Sequence, residues 1–361
     1  MADRNRLINM FTDISRIDAE SYGEARVAAY LKERLTELGF EVSQDDTGNL
    51  YGILKGEGAA EPLLFSAHMD TVKPGIGKVP VVLEDRIVSE GDMVLGADDI
   101  CGITEILEGI RLAKERGDNR GDIEVLFTAA EEVYAKGSKA FDFSRVSAKD
   151  AYVLDMSGAP GTAARKAPSI LSFEIEVRGK ASHAGFKPEA GVNALKAAAA
   201  AIAKLEIGKP TDTATLNIGT IEAGRADNIV PELCRCTGEV RSFDHEEALA
   251  LVEKVRDTFA EEAGALGASL GFNKTVNLKA YETPLDAKVC RDFTNACGKL
   301  GLAGDLVATH GGSDNNVFAE HGITGIVIAN GMYKTHSTEE YALIDEMVSG
   351  AELVAALIKE R

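Results

Sequence analysis

His68-Met69-Asp70, Asp98-Asp99, Glu131-Glu132, Asp155 and His336 are the residues of this chain whose types and order could do chemistry together. Each lies where an apolar run stops, so five separated stretches could bring imidazole and carboxylate groups to one place. Neutral imidazole combined with hard oxygen ligands suits a pair of divalent ions, zinc, cobalt or manganese, that share one bridging carboxylate. The pattern reads as a two-metal hydrolase.

Taken singly, each piece has a plainer reading. A lone His-x-Asp is a weak signal, although Asp70 could return to the site and steady the His68 imidazole or a general base. Asp98 opens a turn that leads into a helix and has two oxygens able to bridge ions, whereas Asp99 reads first as a helix N-cap. Glu131 and Glu132 diverge from one backbone point, so one could bind metal while the other holds a proton. Asp155 ends an apolar strand, where an unpartnered carboxylate would cost several kcal/mol, roughly. His336 lies in a polar loop, Lys334 to Glu340, after a strand near 325–329.

The elements that must position these residues can be read from periodicity. Val27, Tyr30, Leu31, Leu35 and Leu38 recur at helical spacing over 23–38 and predict an opening helix that Gly39 stops. Short continuous apolar runs at 63–65, 125–127, 152–154 and 326–328 predict strands buried on both faces, with helices near 99–116 and 285–300. His68, Glu131 and Asp155 follow three of those strands, which is where open α/β sheets place their sites. In the middle of the chain Leu171, Phe173, Ile175 and Val177 alternate with polar residues and mark a half-exposed strand. A helix with Val192, Leu195, Ala199, Ile202 and Leu205 on one side, strands near 214–222 and 233–242, a helix near 245–266 and a strand near 273–281 follow. The order β-α-β-β-α-β is the ferredoxin-like split arrangement. The expected architecture is therefore a mostly parallel, helix-covered sheet built from 1–168 and 281–361, with an inserted ferredoxin-like α/β lid at 169–280.

Composition narrows the partners. The 361 residues carry a formal charge of −19, which argues against nucleic acid and anionic membrane surfaces. The amino terminus lacks the apolar stretch of a signal peptide, and no run reaches membrane-span length, so a cytoplasmic protein is expected. Five cysteines are an odd number and read as reduced thiols, with Cys234 and Cys236 sharing one strand face in the core.

Ser66-Ala67-His68-Met69-Asp70-Thr71-Val72, Gly96-Ala97-Asp98-Asp99, Glu131-Glu132, Ser182-His183-Ala184-Gly185 and Asn228-Ile229-Val230-Pro231 resemble, in order and along nearly the whole chain, the dinuclear metallopeptidase family. That family includes peptidase T, carboxypeptidase G, desuccinylases and aminoacylases, and the Gly96 and Asn228 motifs lean toward its peptidase T-like branch. The resemblance implies that His68 and Asp155 hold one ion, Glu132 and His336 the other, and Asp98 both, with a cis peptide before Asp99. It implies Glu131 as general base with Asp70 beside it, two divalent ions of zinc type, a homodimer through the lid, and His183, Asn228 and Arg241 as substrate contacts. Arg241 lies on the strand face opposite Cys234, Cys236 and Val240, where it could meet an anionic group. His183 sits among small residues in a turn and could donate to a developing oxyanion.

Two features depart from the family pattern. Ile100 stands where relatives often carry a lysine, and His310 precedes Gly311-Gly312-Ser313-Asp314 where a glycine is common. His245 and His321 read as surface or packing residues. The expected activity is hydrolysis of short peptides as a di- or tripeptide aminopeptidase. An N-acyl amino-acid deacylase or a carboxypeptidase would keep every ligand and change the lid, and a turnover-less metal scaffold is disfavoured by the presence of Glu131.

Overall fold

A computed structural model describes residues 1–118 and 121–360. They form two compact units, one of Met1–Lys166, Glu282–Thr309 and Ser313–Arg361, the other of Ala167–Tyr281 with His310–Gly312. The short return at His310–Gly312 lies outside the insert read from periodicity, because three residues of loop carry no periodic signal.

The first unit is built on a nine-stranded sheet. Its centre runs Gly121–Thr128, Ala60–His68, Asp150–Met156, Thr324–Ala329, and these neighbours are parallel. The strands there are buried almost throughout, as continuous apolar runs require. Glu41–Gln44 and Leu50–Leu54 add an antiparallel edge. Phe11, Phe65, Phe127, Tyr152 and Phe293 are all fully buried in the core that joins this sheet to its helices. A separate small sheet pairs Met332–Tyr333, Tyr341–Leu343, Arg86–Ser89 and Pro80–Val82. The His336 loop therefore connects two short strands of this second sheet rather than simply trailing the strand at 324–329.

The helix expected over 23–38 spans Ala25–Glu37. It is not the opening helix: Arg4–Ser15 precedes it, started by Asp3, whose carboxylate accepts the backbone N–H groups of Asn5 and Arg6. Leu7, Phe11 and Ile14 bury its inner face.

The second unit is a four-stranded antiparallel sheet ordered Ala214–Ala223, Leu233–Ser242, Ser169–Arg178, Ser269–Leu278, with two helices on one face. Cys234 and Cys236 lie in its core. Its first helix, Ala194–Lys204, buries Ala194, Ala197, Ala198 and Ala201, while Leu195 is 39% exposed. The expected stripe through Val192, Leu195 and Ala199 is thus rotated: Val192 precedes the Asn193 cap, and an alanine face lets the helix approach its sheet more closely than the larger residues would. The last strand begins at Ser269, four residues before its expected start, because its burial is too low to leave a clear alternation.

The Ala97–Arg116 helix carries a residue with no polar reason to be inside. Glu105 is fully buried with neither carboxylate oxygen hydrogen-bonded among the described residues, against Gly350 of the Ile344–Lys359 helix, where a Cβ would come within 2.1 Å of Glu105 Oε2. Burial, with the nearby Asp99 charge, pushes its carboxyl well above the ordinary 4.5. The folded state keeps a proton that the unfolded chain releases above that value, so this group stabilises the fold at low pH and loses stability as pH rises. Glu105→Gln should therefore gain stability relative to the wild type in thermal melts as pH rises above the ordinary glutamate value of 4.5. A difference that stays flat with pH would contradict a protonated Glu105.

Candidate metal centre

The parallel strands bring the candidate side chains to one edge. His68 is the last residue of Ala60–His68 and Asp155 the penultimate residue of Asp150–Met156, while Glu131 lies three residues beyond Gly121–Thr128. Asp98 enters from the start of the Ala97–Arg116 helix, which approaches the sheet so closely that a Cβ on Gly102 would sit 2.1 Å from Leu154 O.

Two groups of possible metal ligands result, His68 with Asp98 and Asp155, and Asp98 with Glu132 and His336. Asp98 belongs to both and offers one oxygen to each: Oδ1 is 3.0 Å from His68 Nε2, and Oδ2 is 3.3 Å from His336 Nε2. His68 Nε2 lies 3.8 Å from Asp155 Oδ1, and His336 Nε2 lies 3.0 Å from Glu132 Oε2. The five residues read as ligands from sequence are together. The Asp98-Asp99 peptide bond is cis.

The backbone around them is fixed by buried carboxylates that accept N–H groups. Asp70, fully buried, accepts from Glu131 N at 2.9 Å through Oδ1 and from the Ser21 hydroxyl at 2.7 Å and Glu132 N at 3.3 Å through Oδ2. His68 Nδ1 contacts the Asp70 carbonyl oxygen at 2.9 Å, which leaves Nε2 facing the carboxylates. Glu24 accepts from Ala130 N, and Asn49 Oδ1 from Ala129 N. These contacts hold a turn in which Ala130, Tyr134 and Ala135 all have positive φ, a conformation that non-glycine residues adopt only under such constraint. Asp99 caps its helix as expected, Oδ1 accepting Gly102 N at 3.2 Å. Its other oxygen accepts His68 N at 3.2 Å, and Asn330 Nδ2 donates to Oδ1 at 2.8 Å.

Glu24, Asn49 and Asn330 were not found by sequence reasoning. A single buried polar residue with local partners carries no spacing pattern.

The electrostatics fit divalent cations. Among the described residues, Asp98, Asp155, Glu131 and Glu132 converge with His68 and His336 to balance them, and Glu132 Oε1 is buried with no hydrogen-bond partner. Burial lifts the Glu131 and Asp155 carboxyls well above the usual carboxylate range, and the Asp98 charge adds to the effect on Asp155. Asp98 goes the other way: its burial is outweighed by hydrogen bonds to His336 and His68, which hold it well below that range. Hydrogen bonds to Asp98 and Glu132 raise His336 to about 10. The imidazoles thus hold protons where a cation would neutralise the carboxylates.

In the second unit His183 and Asn228 are brought together: Ala184 N donates to Asn228 O at 2.9 Å, and His183 bridges Ile229. His183 Nδ1 accepts Gly185 N at 3.1 Å, which leaves the Nε2 edge of the ring unengaged by that contact. Arg241 does meet an anionic group, but it is Glu239 of its own strand, at 2.7 Å, and its Nη1 donates to His310 O at 2.8 Å. His245 contacts Ser169, and His321 stacks on Phe143.

The chain is similar to known proteins along nearly its whole length. Residues 166–266 match the model of a Peptidase dimerisation domain, and 49–208 match that of Peptidase family M28. The chain is 36% identical to the crystal structure of aminopeptidase PepT from Bacillus cereus, with a TM-score of 0.93 over 99% of both chains. A tripeptidase structure from Staphylococcus aureus is 30% identical, with a TM-score of 0.96 over 99% of this chain and 98% of that one. A Bacillus subtilis protein called YqjE, uncharacterized, is 35% identical across 100% of this chain and 99% of its own length. Fold and site together define a metallopeptidase. The chain belongs to the M20 peptidase family, on its peptidase T-like side.

A metal-binding imidazole must be neutral, so uptake of an ion displaces the proton that His336 carries up to about pH 10. Zinc titrated calorimetrically into metal-free protein in buffers of different ionisation enthalpy should therefore show net proton release near neutral pH. Uptake with no proton release would contradict binding at His336.

Proposed function

We propose that this chain is an aminopeptidase of tripeptides and other short unblocked peptides that works with two divalent ions, zinc by preference. The observation that carries the proposal is the sharing of Asp98 between the two ligand groups, one oxygen toward each. His68, Asp98 and Asp155 would hold one ion, and Asp98, Glu132 and His336 the other. When bound, the ions supply the Lewis acidity that makes water a nucleophile near neutral pH and polarises the scissile carbonyl.

The remaining chemistry belongs to side chains. Glu131 is the general base: it accepts the water's proton and returns it to the leaving amine. Its burial supports that role, since a carboxylate lifted in pKa both takes and gives a proton readily. Asp70 holds Glu131 and Glu132 in place through their backbone N–H groups. His183, Asn228 and Arg241 are the contribution of the 169–280 lid to substrate, with the His183 Nε2–H as oxyanion donor and the Arg241 charge shared with Glu239. The residues 1–168 and 281–361 are proposed as the catalytic domain. A homodimer through the lid is supported by the dimerisation-domain match at 166–266. A cytoplasmic location is supported by five buried free cysteines. No helix among the described residues is long and apolar enough to cross a membrane.

Glu131→Gln should keep both ions and the fold while lowering kcat by roughly 10²–10⁴ on a tripeptide, whereas Glu132→Gln should lose metal. Metal analysis beside single-turnover kinetics separates the two, and the reverse pattern would exchange their roles. Assayed on unblocked, amino-blocked and carboxyl-blocked peptides, the wild type should cleave those with a free amino terminus. Turnover confined to N-acyl amino acids, or to peptides cut at the free carboxyl end, would move the assignment to a deacylase or a carboxypeptidase.

A further inference from the structure

We infer that Glu340 is a positioning residue that sets the bridging carboxylate of Asp98 against His336, with Lys78 as a counter-charge that makes no hydrogen bond to it. The inference rests on the two-ion reading above and goes beyond it to a residue that contacts neither ion.

Glu340 is 2% exposed, and both of its oxygens are used on one short segment: Oε2 accepts Gly96 N at 2.7 Å and Oε1 accepts Asp98 N at 3.0 Å. Its own N–H donates to Ser337 O at 3.2 Å. It therefore belongs to the loop that carries His336, four residues earlier, and His336 Nε2 contacts the Asp98 side chain at 3.3 Å. One loop thus grips Asp98 twice, by the carboxylate and by the backbone. That loop is stiffened from within by the Lys334 and Glu339 ion pair at 2.6 Å, the Ser337 hydroxyl on Lys334 O at 2.7 Å, and Glu339 N on Ser337 Oγ at 3.2 Å. Movement of Asp98 away from His336 would have to break both attachments.

A buried carboxylate needs a positive charge, and the fold supplies one without spending an oxygen on it. Lys78 is 3% exposed, and its ammonium has no hydrogen-bond partner among the described residues. Burial brings the Lys78 ammonium down to about 8, and the Glu340, Asp18 and Glu20 charges oppose that shift. The ammonium lies beside Gly96, where a Cβ would come within 3.1 Å of Nζ and 3.3 Å of Ile100 Cδ1. A direct ion pair would compete with the backbone N–H groups for the Glu340 oxygens; a charge held close by burial leaves both oxygens free to accept them.

The experiment uses the full-length protein, with Glu340→Gln and Lys78→Met as variants. The amide turns an N–H donor toward one of the two backbone N–H groups, and methionine keeps the lysine's bulk without its charge. Competition with a chromogenic chelator should show zinc binding weakened by about 10- to 100-fold in Glu340→Gln, the usual scale for losing a partner behind the ligands. Lys78→Met should shift it in the same direction by less. Hydrogen exchange on the metal-free protein should be faster at the Gly96 and Asp98 amides in Glu340→Gln, while its melting temperature changes little. A folded Glu340→Gln with wild-type exchange at those amides and wild-type zinc affinity would overturn the inference. If Glu340→Gln does not fold, wild-type zinc affinity in Lys78→Met overturns it instead. A wild type that takes up no zinc would remove the two-ion reading, a failure that the metal-free exchange measurement keeps distinct from this one.

Discussion

Four largely buried carboxylates, Asp98, Asp155, Glu131 and Glu132, converge near a buried imidazole, His68, and an exposed one, His336, and the placement of the site depends on that excess of negative charge. Charge buried without compensation is among the costliest arrangements a fold can contain. Burial shifts the Glu131 and Asp155 carboxyls toward the protonated form, and the carboxylate partners shift the two histidines the same way. Divalent cations offset the excess more completely, because they supply two charges each and leave the imidazoles neutral.

The groups stay in place because the chain spends backbone N–H groups on fixing them. Asp70 holds the Glu131-Glu132 backbone, Glu340 holds Gly96 and Asp98, and Asp99 ties the end of one strand to the start of a helix and to Asn330. In each case a buried acceptor satisfies donors that a tight, irregular segment would leave orphaned. Rigid strand ends provide the direction, and these side chains provide the final placement.

Much of this was legible in the sequence. Continuous apolar runs mark the central strands because strands buried on both faces need no alternation, and His68, Glu131 and Asp155 are legible because they end or closely follow such runs, whereas Asp98 and His336 come from a helix start and a polar loop. The position of Asp99 before a helix marks it as a cap, which it is, but spacing carries no sign of its second oxygen on His68 N. Arg241 was placed on the correct face, but its partner Glu239 two residues away was not recognised, since a pair on the same strand face resembles any exposed charge pattern. The helix at Ala194–Lys204 was misoriented because alanine, the residue that packs there, weighs little in an apolar stripe. Glu340 lay in plain view within a polar loop. Only the fold reveals that it is buried and which backbone it holds.

The most direct test is a crystal structure of the zinc-loaded protein with anomalous diffraction recorded on either side of the zinc edge. The account predicts two anomalous peaks flanking Asp98, one among His68, Asp98 and Asp155 and the other among Asp98, Glu132 and His336. A single peak, or peaks that do not share Asp98, would contradict it.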